Sequence, residues 1–269
     1  MFIPLYDHNP VKHIRLQWVT LTIIVLNVLA YLLLNLGPEG GLEYASVALG
    51  HIPSVANNIR QLPADFSLVP DQLYITTTIT SAFLHADIWH LAGNMLFIWV
   101  FGDNVEDALG HFRFVVFYLA CCFAAAWFHA FTFPQSDGPL IGASGAASGL
   151  VAAYLILHPK TRVWVLFLSR IPIRLPALYL LLGWILYQGF MFLVDSDGQI
   201  SWAAHVGGIT AGIVLVVILK RSHVPLFDRD FALPDAVELE EGPNTEPAPV
   251  SPQAKPQKRT PWGRDGATK

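Results

Sequence analysis

Charge is what this sequence has least of. Only 13% of its 269 residues are Asp, Glu, Lys or Arg, against about a quarter in a typical soluble domain, while 54% are hydrophobic. That balance excludes an ordinary soluble domain and reads as a multi-spanning membrane protein. Cysteine is nearly absent. Cys121 and Cys122 are adjacent in an apolar stretch, and neighbours on a helix point apart, so neither a disulfide framework nor a cysteine metal site follows. There is no basic patch, which removes the argument for nucleic acid, and a net charge of −4 says nothing about partners. No signal-peptidase-like site follows the first apolar run, which comes after Lys12, His13 and Arg15; that run is expected to stay as a helix.

What is present is a series of apolar runs. The pattern predicts an all-α membrane protein with six spans, at about 17–36, 89–107, 111–132, 143–158, 176–194 and 202–220. The second is shortened by Glu106 and Asp107, and the fourth is near the lower limit for crossing a bilayer. The expected organisation is an N-terminus at 1–16, a six-span domain at 17–221 and a tail at 222–269. Lysine and arginine place the connections. Lys12, Arg15, Arg113, Lys160, Arg162, Arg170, Arg174, Lys220 and Arg221 fall on one side, and only Arg60 on the other, so both termini are expected to be cytoplasmic. The long 37–88 connection, with Pro53, Pro63 and Pro70, is expected to be ordered and partly within the outer interface. The tail, above all 234–269, is rich in Pro, Glu, Gln, Lys and Thr, and is expected to be largely disordered.

One serine stands out. Ser144 lies in Gly142-Ala143-Ser144-Gly145-Ala146-Ala147-Ser148-Gly149, at the head of the fourth span. By itself this is a small-residue helix contact, with Gly145 and Gly149 admitting a neighbour. A second apolar run carries Ala204-His205-Val206-Gly207-Gly208, with Gly212 beyond, and ionisable residues inside spans default to function. With this topology the second, fourth and sixth spans start at the same face. His90, Asn94, Ser144 and His205, from three distant parts of the sequence, then share one membrane depth.

Each residue suits that meeting. Ser144 at a helix start has free backbone N–H groups around it for an oxyanion. His90 and Asn94, four apart, lie on one helical face, and both can donate hydrogen bonds. His205 can take the serine proton and return it to a leaving amine. Gly208 and Gly212 share the face of His205 and, against Gly145 and Gly149, allow close packing of the fourth and sixth spans. No Asp or Glu lies in the outer part of a span, so a dyad is expected. The simpler readings stand beside these: His90 and Asn94 as interhelical hydrogen-bonding groups, and His85 as an interfacial residue giving structural support rather than taking part in chemistry. A His85–His90–His205 zinc site has no HExxH-like pattern behind it.

Taken together, these motifs resemble the rhomboid intramembrane serine proteases, over roughly 75–220. The similarity rests on Phe83-Leu84-His85 through His90-Leu-Ala-Gly-Asn94, on Gly102-Asp-Asn-Val-Glu106 through Gly110, on Gly142-Ala-Ser144-Gly145, and on Ala204-His205 with Gly208 and Gly212. The resemblance implies a six-helix core that hydrolyses a peptide bond in or near a substrate's transmembrane segment. It makes Ser144 the nucleophile, His205 the general base, and His90, Asn94 and the Ser144 amide the oxyanion hole. Glu106 becomes a structural tie, and a lateral gate is implied at the fifth span. No metal or organic cofactor is implied; the partners are transmembrane substrates and membrane lipid. The sequence departs twice from the family pattern. Ser148 stands where many members carry an aromatic ring that packs on the histidine, and 37–88 has no tryptophan for the Trp-Arg pair some members carry.

Two other classes compete. A catalytically silent relative that binds membrane clients usually lacks the serine or the histidine, and a transporter would line a path with polar groups through the inner half. Both dyad residues are present here and the inner ends of the fourth and sixth spans are apolar, which favours the enzyme. The lack of a long transit segment leads to an expectation of a bacterial-type plasma membrane, with the site opening outward. Oligomeric state is not legible.

Overall fold

Helices dominate the molecule, but a small sheet absent from the sequence reading joins the beginning of the chain to its middle. The computed structural model describes residues 2–62, 64–66, 75–167, 170–195 and 200–227, all within the compact unit Met1–Ala232. Of the tail at 222–269, expected to be largely disordered, residues 222–227 are described and pack back on the domain, the Phe227 amide donating to the Ile156 carbonyl; the rest of that expectation lies outside the described residues.

In chain order the elements are strand β1 (Phe2–Asp7) and helices α1 (Trp18–Asn35), α2 (Gly41–Leu49), α3 (Pro53–Ala56), α4 (Thr77–Thr80), α5 (Ile88–Leu109), α6 (His111–Thr132) and α7 (Ser144–Leu157). Strands β2 (Arg162–Phe167) and β3 (Ile171–Pro176) follow, then helices α8 (Ala177–Val194) and α9 (Trp202–Leu219). Among these, α1, α6, α8 and α9 are long and apolar enough to cross a membrane. Helix α7 is a shorter apolar helix, and α5 carries Asp103, Glu106 and Asp107 in its last two turns.

The sheet runs β1-β2-β3, antiparallel throughout. An all-α expectation therefore needs correcting at this point. Its cause is an unread alternation: Val163 and Val165 are fully buried while Arg162 and Trp164 face outward, the period of two that marks a half-buried strand. No local signal pairs residues 2–7 with a hairpin about 160 residues later.

At this sheet end, α5 organises the chain entry. Helix α1 has no side-chain cap of its own. Glu106 supplies one from α5, accepting from the Val19 and Thr20 amides and the Thr20 hydroxyl at 3.0, 2.8 and 2.6 Å. The adjacent Asp107 accepts from the amides of Lys12, His13 and Ile14. The turn into α6 is made at Gly110, whose φ of 82° lies in the region open to glycine.

The core is built on the inner faces of α5, α6 and α7, with Ile98, Phe101, Phe117 and Leu150 fully buried. Helix α8 is different. Only Ala177, Leu180, Leu181 and Gln188 are buried along it, and Leu186, Tyr187, Phe190 and Leu193 are exposed.

The 37–88 connection carries α2, α3 and α4 and is tied to the 133–141 connection. His51 and Leu140 exchange backbone hydrogen bonds, and Asp137 receives Ser54 Oγ at 2.7 Å and the Arg60 guanidinium at 2.5 Å.

Candidate active site

Three helices deliver the polar groups to the end of the bundle opposite the sheet. Asp87 caps α5, its carboxylate accepting from the amides of Trp89 and His90 at 2.8 and 2.9 Å, which sets His90 in the first turn. Ser201 caps α9: its hydroxyl accepts from the Ala204 amide and lies 2.7 Å from His129 Nδ1 on α6. His205 is thereby held one turn into α9. Ser144 is the first residue of α7.

Glycine decides how closely α7 and α9 approach. A β-carbon on Gly208 would run into the Gly145 carbonyl, and one on Gly212 into the Gly149 carbonyl. A β-carbon on Gly149 would stand 2.9 Å from the Gly208 carbonyl, and one on Gly145 would collide with Ala125 of α6. At this backbone-to-backbone separation Ser144 Oγ lies 3.0 Å from His205 Nε2, a hydrogen bond between half-buried side chains.

His90 and Asn94 reach the same place from α5. Gly142 has φ 113°, and a β-carbon there would lie 2.7 Å from the His90 ring and 3.6 Å from Asn94 Nδ2. Only glycine lets the chain pass between these side chains and Ser144, two residues later. His85 is fully buried. It lies in the segment before α5 rather than on that helix. Its Nε2 lies 2.9 Å from Asn94 Nδ2 and 3.5 Å from the Ala143 amide, and its ring meets His90 edge-on at 5.0 Å. It props up Asn94 and the residue before the serine.

Three neighbours of His205 escaped the sequence reading. Gln188 Oε1 on α8 lies 2.8 Å from His205 Nδ1, the ring of Trp184 is near-parallel at 6.5 Å, and Trp202 meets it edge-on at 5.9 Å. Gln188, a glutamine in an otherwise apolar helix, is the sequence signal for this partner. Ser148 does not replace the missing aromatic ring; its hydroxyl donates back to the Ser144 carbonyl at 2.7 Å. Glu106 is remote from this cluster, at the sheet end. Among the described residues, no three His, Cys, Asp or Glu side chains are grouped to hold a metal ion.

The arrangement suits acyl transfer. A hydroxyl at a helix N-terminus faces an imidazole nitrogen, the other nitrogen of that ring is engaged, and amide and imidazole donors lie beside the preceding residues.

Comparison with known proteins gives this geometry a family. The family model described as the Rhomboid domain matches residues 72–222, more than half of the chain. The chain is 29% identical over 161 residues to "RHOMBOID-like protein 12, mitochondrial" of Arabidopsis thaliana, covering 54% of this chain and 46% of that protein. It is 29% identical over 159 residues to "Rhomboid protein 1, mitochondrial" of Saccharomyces cerevisiae, covering 52% and 42%. With "Rhomboid protease GluP" of Bacillus subtilis the identity is 33% over 141 residues, covering 52% and 25%. Each match thus spans less than half of the relative's own length. The mitochondrial relatives overturn the expectation of a bacterial plasma membrane and point to an organellar one. Hydropathy could not have decided this, because the apolar helices that suit one membrane suit the other. By its matched domain and the helices that carry it, the chain belongs to the rhomboid family.

Proposed function

We propose that this rhomboid is an intramembrane serine endopeptidase using Ser144 and His205 as a catalytic dyad. The observation that carries the reading is the 3.0 Å contact between Ser144 Oγ and His205 Nε2 at the start of α7. In the proposed reaction Ser144 Oγ attacks the scissile carbonyl as its proton passes to His205 Nε2. The negative oxygen that develops is met by the Ser144 amide and the donors of His90 and Asn94. His205 then gives the proton to the leaving amine, and a water attacks the acyl-enzyme with the same base. Six membrane crossings with both termini on one side, α5 and α7 being shielded by the longer helices, complete the proposal. An organellar membrane and transmembrane-protein substrates fit it.

The name of the Bacillus relative, a rhomboid protease, supports the same chemistry. The test is cleavage of a transmembrane model substrate in liposomes by wild type, Ser144→Ala and His205→Ala. Cleavage by wild type that is lost in both variants is the expected result. Cleavage that survives Ser144→Ala rejects the mechanism.

A further inference from the structure

His205 is supported from an unexpected direction. On α7 the side chain one turn after the nucleophile is Ser148, which turns back onto its own helix. The groups that engage the imidazole from across the bundle are Trp184 and Gln188, one turn apart on α8 and so on one face of it. From Trp184 to Val194, Gln188 is the one fully buried residue of α8, and Phe192 adds a ring contact with Phe128 of α6 at 5.9 Å. Elsewhere α8 is joined to α9 near its end, where Trp202 Nε1 donates to Asp195 at 2.9 Å and Tyr187 packs edge-on against Trp202.

The chemistry of the contact is directional. The oxygen of a side-chain amide accepts hydrogen bonds and donates none. With Gln188 Oε1 at 2.8 Å, His205 Nδ1 must carry the proton, and the lone pair is left on Nε2, facing Ser144 Oγ. That is the only neutral tautomer able to receive the serine proton. When Nε2 gains that proton, the imidazolium still donates through Nδ1, so the amide dipole also stabilises the charged ring without a buried carboxylate.

Building on the proposed protease activity, we propose that Gln188 is the positioning residue of this site: it holds His205 in the Nδ1–H tautomer, so the dyad is set only while the outer half of α8 lies against α9. Movement of α8 away from α9 would release the bond and the Trp184 ring together. Access from the α8 side and catalytic competence are then mutually coupled through one side chain. Substrate can enter while the base is free to turn, and the base is set once α8 returns.

Two measurements test this, one independent of cleavage. In full-length protein labelled with nitrogen-15 histidine, with His205→Ala identifying the resonance, His205 is expected as a single Nδ1–H tautomer in wild type. It becomes a mixture in Gln188→Met, a substitution of similar size whose thioether is only a weak acceptor. A single Nε2–H form in wild type, or a Gln188→Met ring unchanged from wild type, overturns the proposal even if the protein cleaves nothing. In cleavage assays Gln188→Met is expected to lower kcat roughly 10–100-fold with KM within about twofold, as for other partners that orient a reacting group. Gln188→Glu keeps the acceptor and adds a charge that favours the imidazolium. It should retain more activity than Gln188→Met, with the acidic limb of its pH–rate profile moved to higher pH. An acidic limb that stays in place in Gln188→Glu rejects the positioning role, because a merely structural glutamine would lower activity at every pH alike.

Discussion

The carbonyl oxygen of Gly145 occupies the space that a side chain on Gly208 would need. The two helices carrying Ser144 and His205 are thus in backbone contact, and the separation of the dyad is set by the absence of two side chains. A neighbour that is backbone cannot rotate away. Gly208→Ala should therefore push α9 off α7, costing about 1–3 kcal/mol of stability from overpacking and, with displacement of the base, at least about 100-fold in cleavage. Gly93→Ala is the control, since nothing lies within 4 Å of a β-carbon there. Thermal unfolding in detergent should find it equal to wild type or slightly more stable. Equal melting of Gly208→Ala and wild type would contradict this packing.

His90 and Asn94 flank Gly142 and should act on the transition state rather than on binding. Removing an oxyanion donor costs about 100–1,000-fold in kcat. His90→Ala and Asn94→Ala should each fall in this range with KM little changed. His85→Ala, which removes a support of Asn94 and of the Ala143 amide rather than a donor, should fall less. A loss confined to KM would place these residues in substrate binding instead.

Glu106 is fully buried and serves the α1 amides, Thr20 Oγ1 and His111 Nδ1 at once. Glu106→Ala leaves these donors without an acceptor and should cost about 3 kcal/mol. Hydrogen exchange should show the loss at residues 18–20, more than 80 positions away in sequence, before it shows anywhere near Ser144. Unchanged protection of the α1 amides would reject the capping role.

Asp7, at the end of β1, is buried where it receives the Tyr154 hydroxyl at 2.5 Å and the Asn104 amide at 3.2 Å. Burial pushes its carboxyl up to about 7, opposed by the Tyr154 hydrogen bond and assisted by the charge of Asp103. The folded state therefore holds a proton that the unfolded state has released. Attachment of β1 is strongest below the ordinary carboxylate range, weakens as pH rises from about 4 to about 7, and is level above that. Amide exchange of residues 2–7, corrected for intrinsic rates, should be slower at pH 5.5 than at pH 8. In Asp7→Asn, which keeps an acceptor without a charge, the two should agree. Equal protection of wild type at both values would remove the linkage.

The sequence by itself determined that the chain is a bundle of apolar helices, and it marked Ser144 and His205 through the glycines at helical spacing beside them. These signals are local: hydrophobic length, small residues repeating every three or four positions, and rare polar groups in apolar runs can all be counted along the chain. Tertiary structure alone decided what lies opposite each residue. Strand β1 finds β2 only in the folded chain, Glu106 caps a helix that begins more than 80 positions before it, and His85 is buried because the segment before α5 folds under Asn94. Gln188 makes the point most directly. In a mainly apolar helix its position reveals depth but not azimuth, and only the packing of α8 on α9 turns it toward Nδ1 of His205. Whether a polar group in a span is spare or engaged depends on which neighbour its face meets, and no sequence spacing specifies that.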